Sequence, residues 1–144
     1  MKKAATIFLI IAAVAGVAVS WFFLHGAGEA GEAYVDVGTS VRFTEEELSE
    51  AVKCVKHSFV RFKDCTMTEI WYSEDNSATD IAAYLADNNV RGISSDNAVV
   101  LYSNFNVGEK PGLSTLEPGT RVIYYKWLVV KTIIGTWRVQ ASGF

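Results

Sequence analysis

The chain is 144 residues long with a formal net charge of −3, and its apolar residues are concentrated at the N-terminal end. An export or membrane segment there leaves about 110 residues to fold in water, enough to bury roughly two thirds of the unfolded surface in one core and too few for a multidomain enzyme. From Gly31 onward 11 basic residues stand against 15 acidic ones, so no basic stripe suggests a nucleic-acid partner.

Met1-Lys2-Lys3 precedes an uncharged run from Ala4 to Leu24. At about 21 residues the run exceeds the ~7–15 of a signal-peptide core and matches the ~20 helical residues that cross a ~30 Å hydrocarbon layer. Trp21, Phe22 and Phe23 cluster at its outer end, where rings favour the headgroup zone, and the two lysines hold the N-terminus inside. Residues 1–25 are therefore expected to be a single-pass membrane anchor. The triplet Ala18-Val19-Ser20 leaves signal cleavage and secretion as the alternative, and either reading puts the remainder outside the cytoplasm. No cysteine follows the run, so a lipid-anchored lipoprotein is not indicated.

Residues 26–40 are expected to be a linker. Gly26 to Ala33 has the Gly/Ala/Glu composition of a flexible tether, and Tyr34-Val35-Asp36-Val37 that of a short edge strand. The folded domain is then 41–144. Thr44 with Glu47 forms a capping box, and Phe43 with Leu48 a hydrophobic staple around it. Leu48, Ala51, Val52, Val55, Phe59 and Phe62 recur at helical spacing, predicting an amphipathic helix of about 18 residues. Cys65 to Glu74, rich in Thr, Ile, Trp and Tyr, reads as a strand ending in a turn. A shorter helix follows, with Ser77 and Asp80 as capping pair, Ile81, Tyr84 and Leu85 as buried face, and Asn88-Asn89 as its end. Asn97 to Val107, Arg121 to Thr132 and Thr136 to Ala141 complete the chain as strands. The prediction is an α+β domain: a curved antiparallel sheet of about four strands, with both helices on one face.

Two cysteines, Cys54 and Cys65, in a chain destined for an oxidising compartment argue for a disulfide. Such a bridge closes a short loop and would contribute roughly 3 kcal/mol. The competing readings are a reactive Cys54 thiol activated by His57 one turn away, and a metal site, which Cys54, His57 and Cys65 supply with too few ligands.

No phosphate loop, nucleophile elbow or zinc-protease motif is present, so no catalytic residue, metal ligand or cofactor is assigned. His25 falls in the membrane segment, leaving His57 as the single imidazole of the domain. Glu69 shares a strand face with Met67 and Trp71. It acts as a general base if that face lines an apolar cavity, and as a solvated carboxylate otherwise. The aromatic content is more informative, since it exceeds what one helix-covered sheet face hides. Glu69, Trp71, Tyr102, Tyr125, Trp127 and Trp137 are the candidate pocket residues, with ordinary core packing as the alternative.

Phe43-Thr44-Glu45-Glu46-Glu47-Leu48, Cys54, Phe62-Lys63-Asp64-Cys65-Thr66, Glu69-Ile70-Trp71-Tyr72, Tyr125-Lys126-Trp127-Leu128-Val129-Val130-Lys131 and Gly135-Thr136-Trp137-Arg138-Val139 together resemble a family of small extracytoplasmic domains of unknown function. These occur behind a signal or anchor segment in Gram-positive, largely gut-dwelling bacteria. The resemblance spans nearly all of Val41 to Phe144 and implies no activity. The element order is also similar to the cone-shaped nuclear-transport-factor-two-like fold, with cystatin-like helix-on-sheet packing as the rival. The expected function is a non-catalytic module that binds a small ligand or an envelope protein. The alternatives are a cone-pocket enzyme using Glu69 or a tyrosine, and a structural accessory of a membrane complex.

Overall fold

The computed structural model describes residues 26–144, so the anchor expected at residues 1–25 lies outside the described residues. Among the described residues no helix is long and apolar enough to cross a membrane. The fold is α+β. Five strands, β1 (Tyr34–Asp36), β2 (Cys65–Tyr72), β3 (Ala98–Val107), β4 (Arg121–Lys131) and β5 (Trp137–Ser142), lie side by side in chain order. Neighbours from β2 to β5 are antiparallel, whereas β1 runs parallel to β2. The sheet is thus mixed and five-stranded, where about four antiparallel strands were expected.

Helix α1 (Glu45–Phe59) begins where the sequence places it. The Thr44 hydroxyl accepts from the Glu47 backbone N–H at 3.1 Å, and the Glu47 carboxylate accepts from the Thr44 N–H at 2.9 Å. Leu48, Ala51, Val52, Val55 and Phe59 form its buried stripe. Helix α2 (Glu74–Asp87) starts a turn earlier than expected. Ser77 is not its cap: it lies inside the helix, faces the sheet, and its hydroxyl accepts the Val100 backbone N–H at 2.8 Å.

The two helices cover opposite faces of the sheet, which corrects the one-sided packing expected from sequence. Odd-numbered side chains of β3 and β4, including Val99, Leu101, Phe105, Trp127 and Val129, pack with the α1 stripe. Even-numbered ones, Ala98, Val100, Tyr102, Leu128 and Val130, pack with Ile81 of α2. The unbroken apolar run Ala98 to Tyr102 is the mark of a strand buried on both sides.

The stretch read as a tether also belongs to the fold. Ala30 and Ala33 are buried, and Glu29 bridges to β2, accepting from the Met67 N–H at 2.7 Å and donating to the Cys65 carbonyl at 2.9 Å. Small residues permit this close approach. A Cβ on Gly28 would stand 2.1 Å from the Phe59 carbonyl oxygen. The composition that suggests flexibility here serves backbone-to-backbone packing.

The expected disulfide is absent: Cys54 and Cys65 are both free thiols. Cys54 leaves α1 toward β5, where its thiol meets the Trp137 carbonyl at 3.4 Å. Cys65 opens β2, three interstrand spacings or ~14 Å across the sheet from β5, whereas a disulfide needs Cα atoms within ~7 Å. Burial pushes the Cys54 thiol up, opposite to the activation that the His57 reading requires. Burial, helped by the charge of Asp64, does the same at Cys65.

Candidate functional site

The six residues expected to share one pocket divide between the two faces. Tyr125, Trp127 and Trp137 belong to the α1 side. Trp127 is 1% exposed and donates its indole N–H to the buried Ser103 hydroxyl at 2.8 Å. Phe59, Phe62, Phe105 and Tyr125 surround it with ring centroids 5.0 to 6.3 Å apart, mostly edge-on or tilted. Trp137 contacts Phe43 edge-on at 5.9 Å. Trp127 lies in the core, and Tyr125 and Trp137 are partly buried against it.

Glu69, Trp71 and Tyr102 lie on the other face, where α2 leaves part of the sheet uncovered. Trp71 stacks on Tyr102 with centroids 5.9 Å apart, and Tyr124 stands edge-on to Trp71 at 5.2 Å. Tyr124 is 63% exposed, and its neighbour Ile123 is 62% exposed. Trp71 and Tyr124 form a platform on an open sheet face, over the buried ring of Tyr102.

A double irregularity in the sheet builds this platform. Met67 pairs with Phe105 and Glu69 with Asn104, so β2 carries Thr68 as an extra residue. On the other side Phe105 pairs with Val122 and Ser103 with Tyr125, leaving Ile123 and Tyr124 opposite Asn104 alone. The bulge puts Tyr124 at φ +55, in the left-handed region that a bulky side chain rarely enters. Asn104 holds it there. Its amide oxygen accepts from the Tyr124 backbone N–H at 3.0 Å, while its amide nitrogen donates to Glu69 Oε2 at 2.7 Å. Its own carbonyl accepts from the Thr68 hydroxyl at 3.2 Å.

Two ion pairs border the rings. Glu69 Oε1 lies 3.6 Å from the Arg121 guanidinium, and Asp80 on α2 accepts from Lys126 Nζ at 2.8 Å and from the Tyr102 hydroxyl at 2.6 Å. Burial pushes the Asp80 carboxyl up, but hydrogen bonds from Lys126 and Tyr102, with the ammonium charge, outweigh it and leave the group below its usual range. Burial and the Asp80 carboxylate raise Tyr102 far above the ordinary tyrosine value, so its hydroxyl stays a donor. Glu69 is 44% exposed and paired with a guanidinium. It lacks the apolar enclosure that a general-base role needs. Among the described residues no group of three His, Cys, Asp or Glu side chains is placed to hold a metal ion.

Among the described residues, open grooves lie elsewhere, and three of them are not lined by a platform residue. One of about 470 Å³ sits between Gly28–Glu32 and Lys56. Another, of about 420 Å³, lies beside Arg91, Lys131 and Gln140, and a third, of about 370 Å³, runs between α1 and β5, lined by Cys54, Arg61 and Trp137.

The sequence reading missed Tyr124, Asn104, Asp80, Arg121 and Lys126. Two signals pointed to Tyr124 and Asn104. Adjacent Tyr124 and Tyr125 in a strand send rings to both faces unless a bulge intervenes, and Asn104 is a residue that strands disfavour, placed mid-strand after the apolar run Ala98 to Tyr102. A scan against protein-family profiles, a search of curated proteins and a search of solved structures each returned no match for this chain.

Proposed function

We propose that this protein is a non-catalytic binding module, held at the membrane by residues 1–25 and facing outward, with Trp71 and Tyr124 as its recognition surface and Tyr102 as the buried ring beneath them. The uncharged run behind Lys2 and Lys3 supports the anchor. The observation that carries the binding role is the geometry of Tyr124. Its backbone is kept in a costly conformation by a dedicated side chain, and the ring so placed is mostly solvent-exposed. Strain of ~1–3 kcal/mol at a residue that contributes little to the core points to use of the ring outside the fold. A partly exposed Trp and an exposed Tyr with a neighbouring Arg are also the side chains that dominate binding energies at recognition surfaces. The carboxylates present are committed to cations and to a hydroxyl, which fits positioning better than proton transfer.

Co-sedimentation of the full-length chain with isolated cell-envelope material tests the proposal. The expected result is saturable binding that Trp71→Ala and Tyr124→Ala each weaken at least about tenfold, with melting temperatures retained. Binding that both variants leave unchanged overturns it.

A further inference from the structure

The rim of the platform restricts the chemical class it accepts. Four of its charged side chains form two mixed pairs, Glu69 with Arg121 and Asp80 with Lys126, and the exposed Asp36 of β1, paired in register with Trp71, adds a further carboxylate on the same face. An anion laid on the rings meets three carboxylates, and a cation placed between the pairs meets a guanidinium and an ammonium. Either, bound at the pairs, must break one of them and desolvate the released partner. The pairs are incompletely spent, however. At 3.6 Å the Glu69–Arg121 contact is longer than a good hydrogen bond, and the two side chains are 44% and 49% exposed. Free acceptor and donor positions therefore stand side by side next to the rings.

A group that donates and accepts at once satisfies both members of such a pair, and a hydroxyl is the simplest one. A ligand with a flat apolar face for the rings and hydroxyls around its margin has the chemistry of a pyranose sugar. Glu69 and Trp71 point to the same side of β2 two residues apart, about 7 Å along the strand. A ring resting on Trp71 thus brings its margin to the Glu69–Arg121 pair. The site is an open face instead of an enclosure, while small ligands are ordinarily buried over most of their surface. An open face suits a chain that passes across it.

We infer that the platform binds a neutral glycan chain, one sugar ring lying on the Trp71 indole, with the perpendicular Tyr124 ring at its edge and its hydroxyls between Glu69 and Arg121. This inference rests on the reading of the platform as the binding face. Tyr102 lies beneath, where its hydroxyl bond to Asp80 fixes the ring that supports Trp71.

Isothermal titration calorimetry of the full-length chain with chitotetraose and cellotetraose, both neutral, and with tetragalacturonate, which is anionic, provides the test. The expected result is saturable binding of at least one neutral oligosaccharide, with a dissociation constant unchanged between about 0.05 and 0.5 M NaCl because no charge is neutralised. Trp71→Ala should raise that constant at least about tenfold, Tyr124→Phe should preserve it, and both variants should melt as the parent does. No saturable heat with either neutral oligosaccharide, or tighter and salt-sensitive binding of tetragalacturonate, overturns the glycan assignment. Envelope binding that is lost after protease treatment and survives periodate, which cleaves vicinal diols, also overturns it in favour of a protein occupant. If Trp71→Ala weakens envelope sedimentation while neither neutral sugar binds, the glycan class fails and the binding face stands; if that variant alters neither assay, the binding face itself fails.

Discussion

Replacing Asn104 by alanine removes the one side chain that joins both sheet irregularities. Two hydrogen bonds disappear, the 3.0 Å bond from the Tyr124 backbone and the 2.7 Å bond to Glu69. A neutral hydrogen bond contributes ~1 kcal/mol net, and one to a charged group ~1.5–3 kcal/mol before discounting for exposure. Glu69 is 44% exposed, so its bond is counted near the neutral value, giving a loss of ~2 kcal/mol for the pair. For a domain of this size that corresponds to a fall in melting temperature of about 8 °C. Urea denaturation of the full-length chain, followed by circular dichroism, measures the difference directly. Asn104→Asp is the informative companion. It keeps the acceptor for Tyr124 but sets a second carboxylate against Glu69, so its deficit should be larger than that of Asn104→Ala. A loss below about 0.5 kcal/mol in Asn104→Ala, the scatter of ordinary surface substitutions, refutes the reasoning that Asn104 holds the platform together.

Thiol titration of the unfolded full-length chain should count two free cysteines, and reductant should leave the melting temperature unchanged; zero thiols contradicts the separation of Cys54 from Cys65. Gly28→Ala should destabilise by roughly 2 kcal/mol or more and open the 26–33 stretch to protease, because the new methyl meets the Phe59 carbonyl oxygen at 2.1 Å. Asp80 has its folded pKa below the ordinary 3.8, so its stabilisation is complete above that pH and is lost as pH falls through the folded value; Asp80→Asn should flatten the acid limb of melting temperature against pH. Tyr102 is shifted the other way, above its ordinary 10.0, so its contribution is complete below pH 10 and lost as pH rises further; Tyr102→Phe should flatten the alkaline limb.

Much of the element order was legible because the signals were local. The Thr44/Glu47 box and the Leu48 to Phe59 stripe mark α1, and the β-branched and aromatic runs mark β2 to β5 to within a residue or two at most ends. What escaped depends on contacts between segments distant in sequence. Gly26 to Ala33 looks like a tether to any composition rule, yet its lack of side chains is what lets it lie against Val60 and Cys65. The pairing of Cys54 with Cys65 followed from compartment and count, but α1 turns Cys54 toward the far edge of the sheet. The division of the aromatics between two faces was within reach. The apolar run Ala98 to Tyr102 leaves no solvated side on β3, which requires cover on both faces. The platform itself rests on two bulges flanking Asn104, and a single inserted residue reverses which side chains share a face, so alternation read from sequence fails there.

The central claim is that recognition occurs on the face carrying Trp71 and Tyr124. Photo-crosslinking from two positions of the full-length chain on intact cells tests it most directly, with a photoreactive side chain at Tyr124 in one variant and at Ser58, in the groove between α1 and β5, in the other. The account predicts an envelope adduct from Tyr124 and none from Ser58. Equal labelling from both positions, or labelling from Ser58 alone, contradicts it.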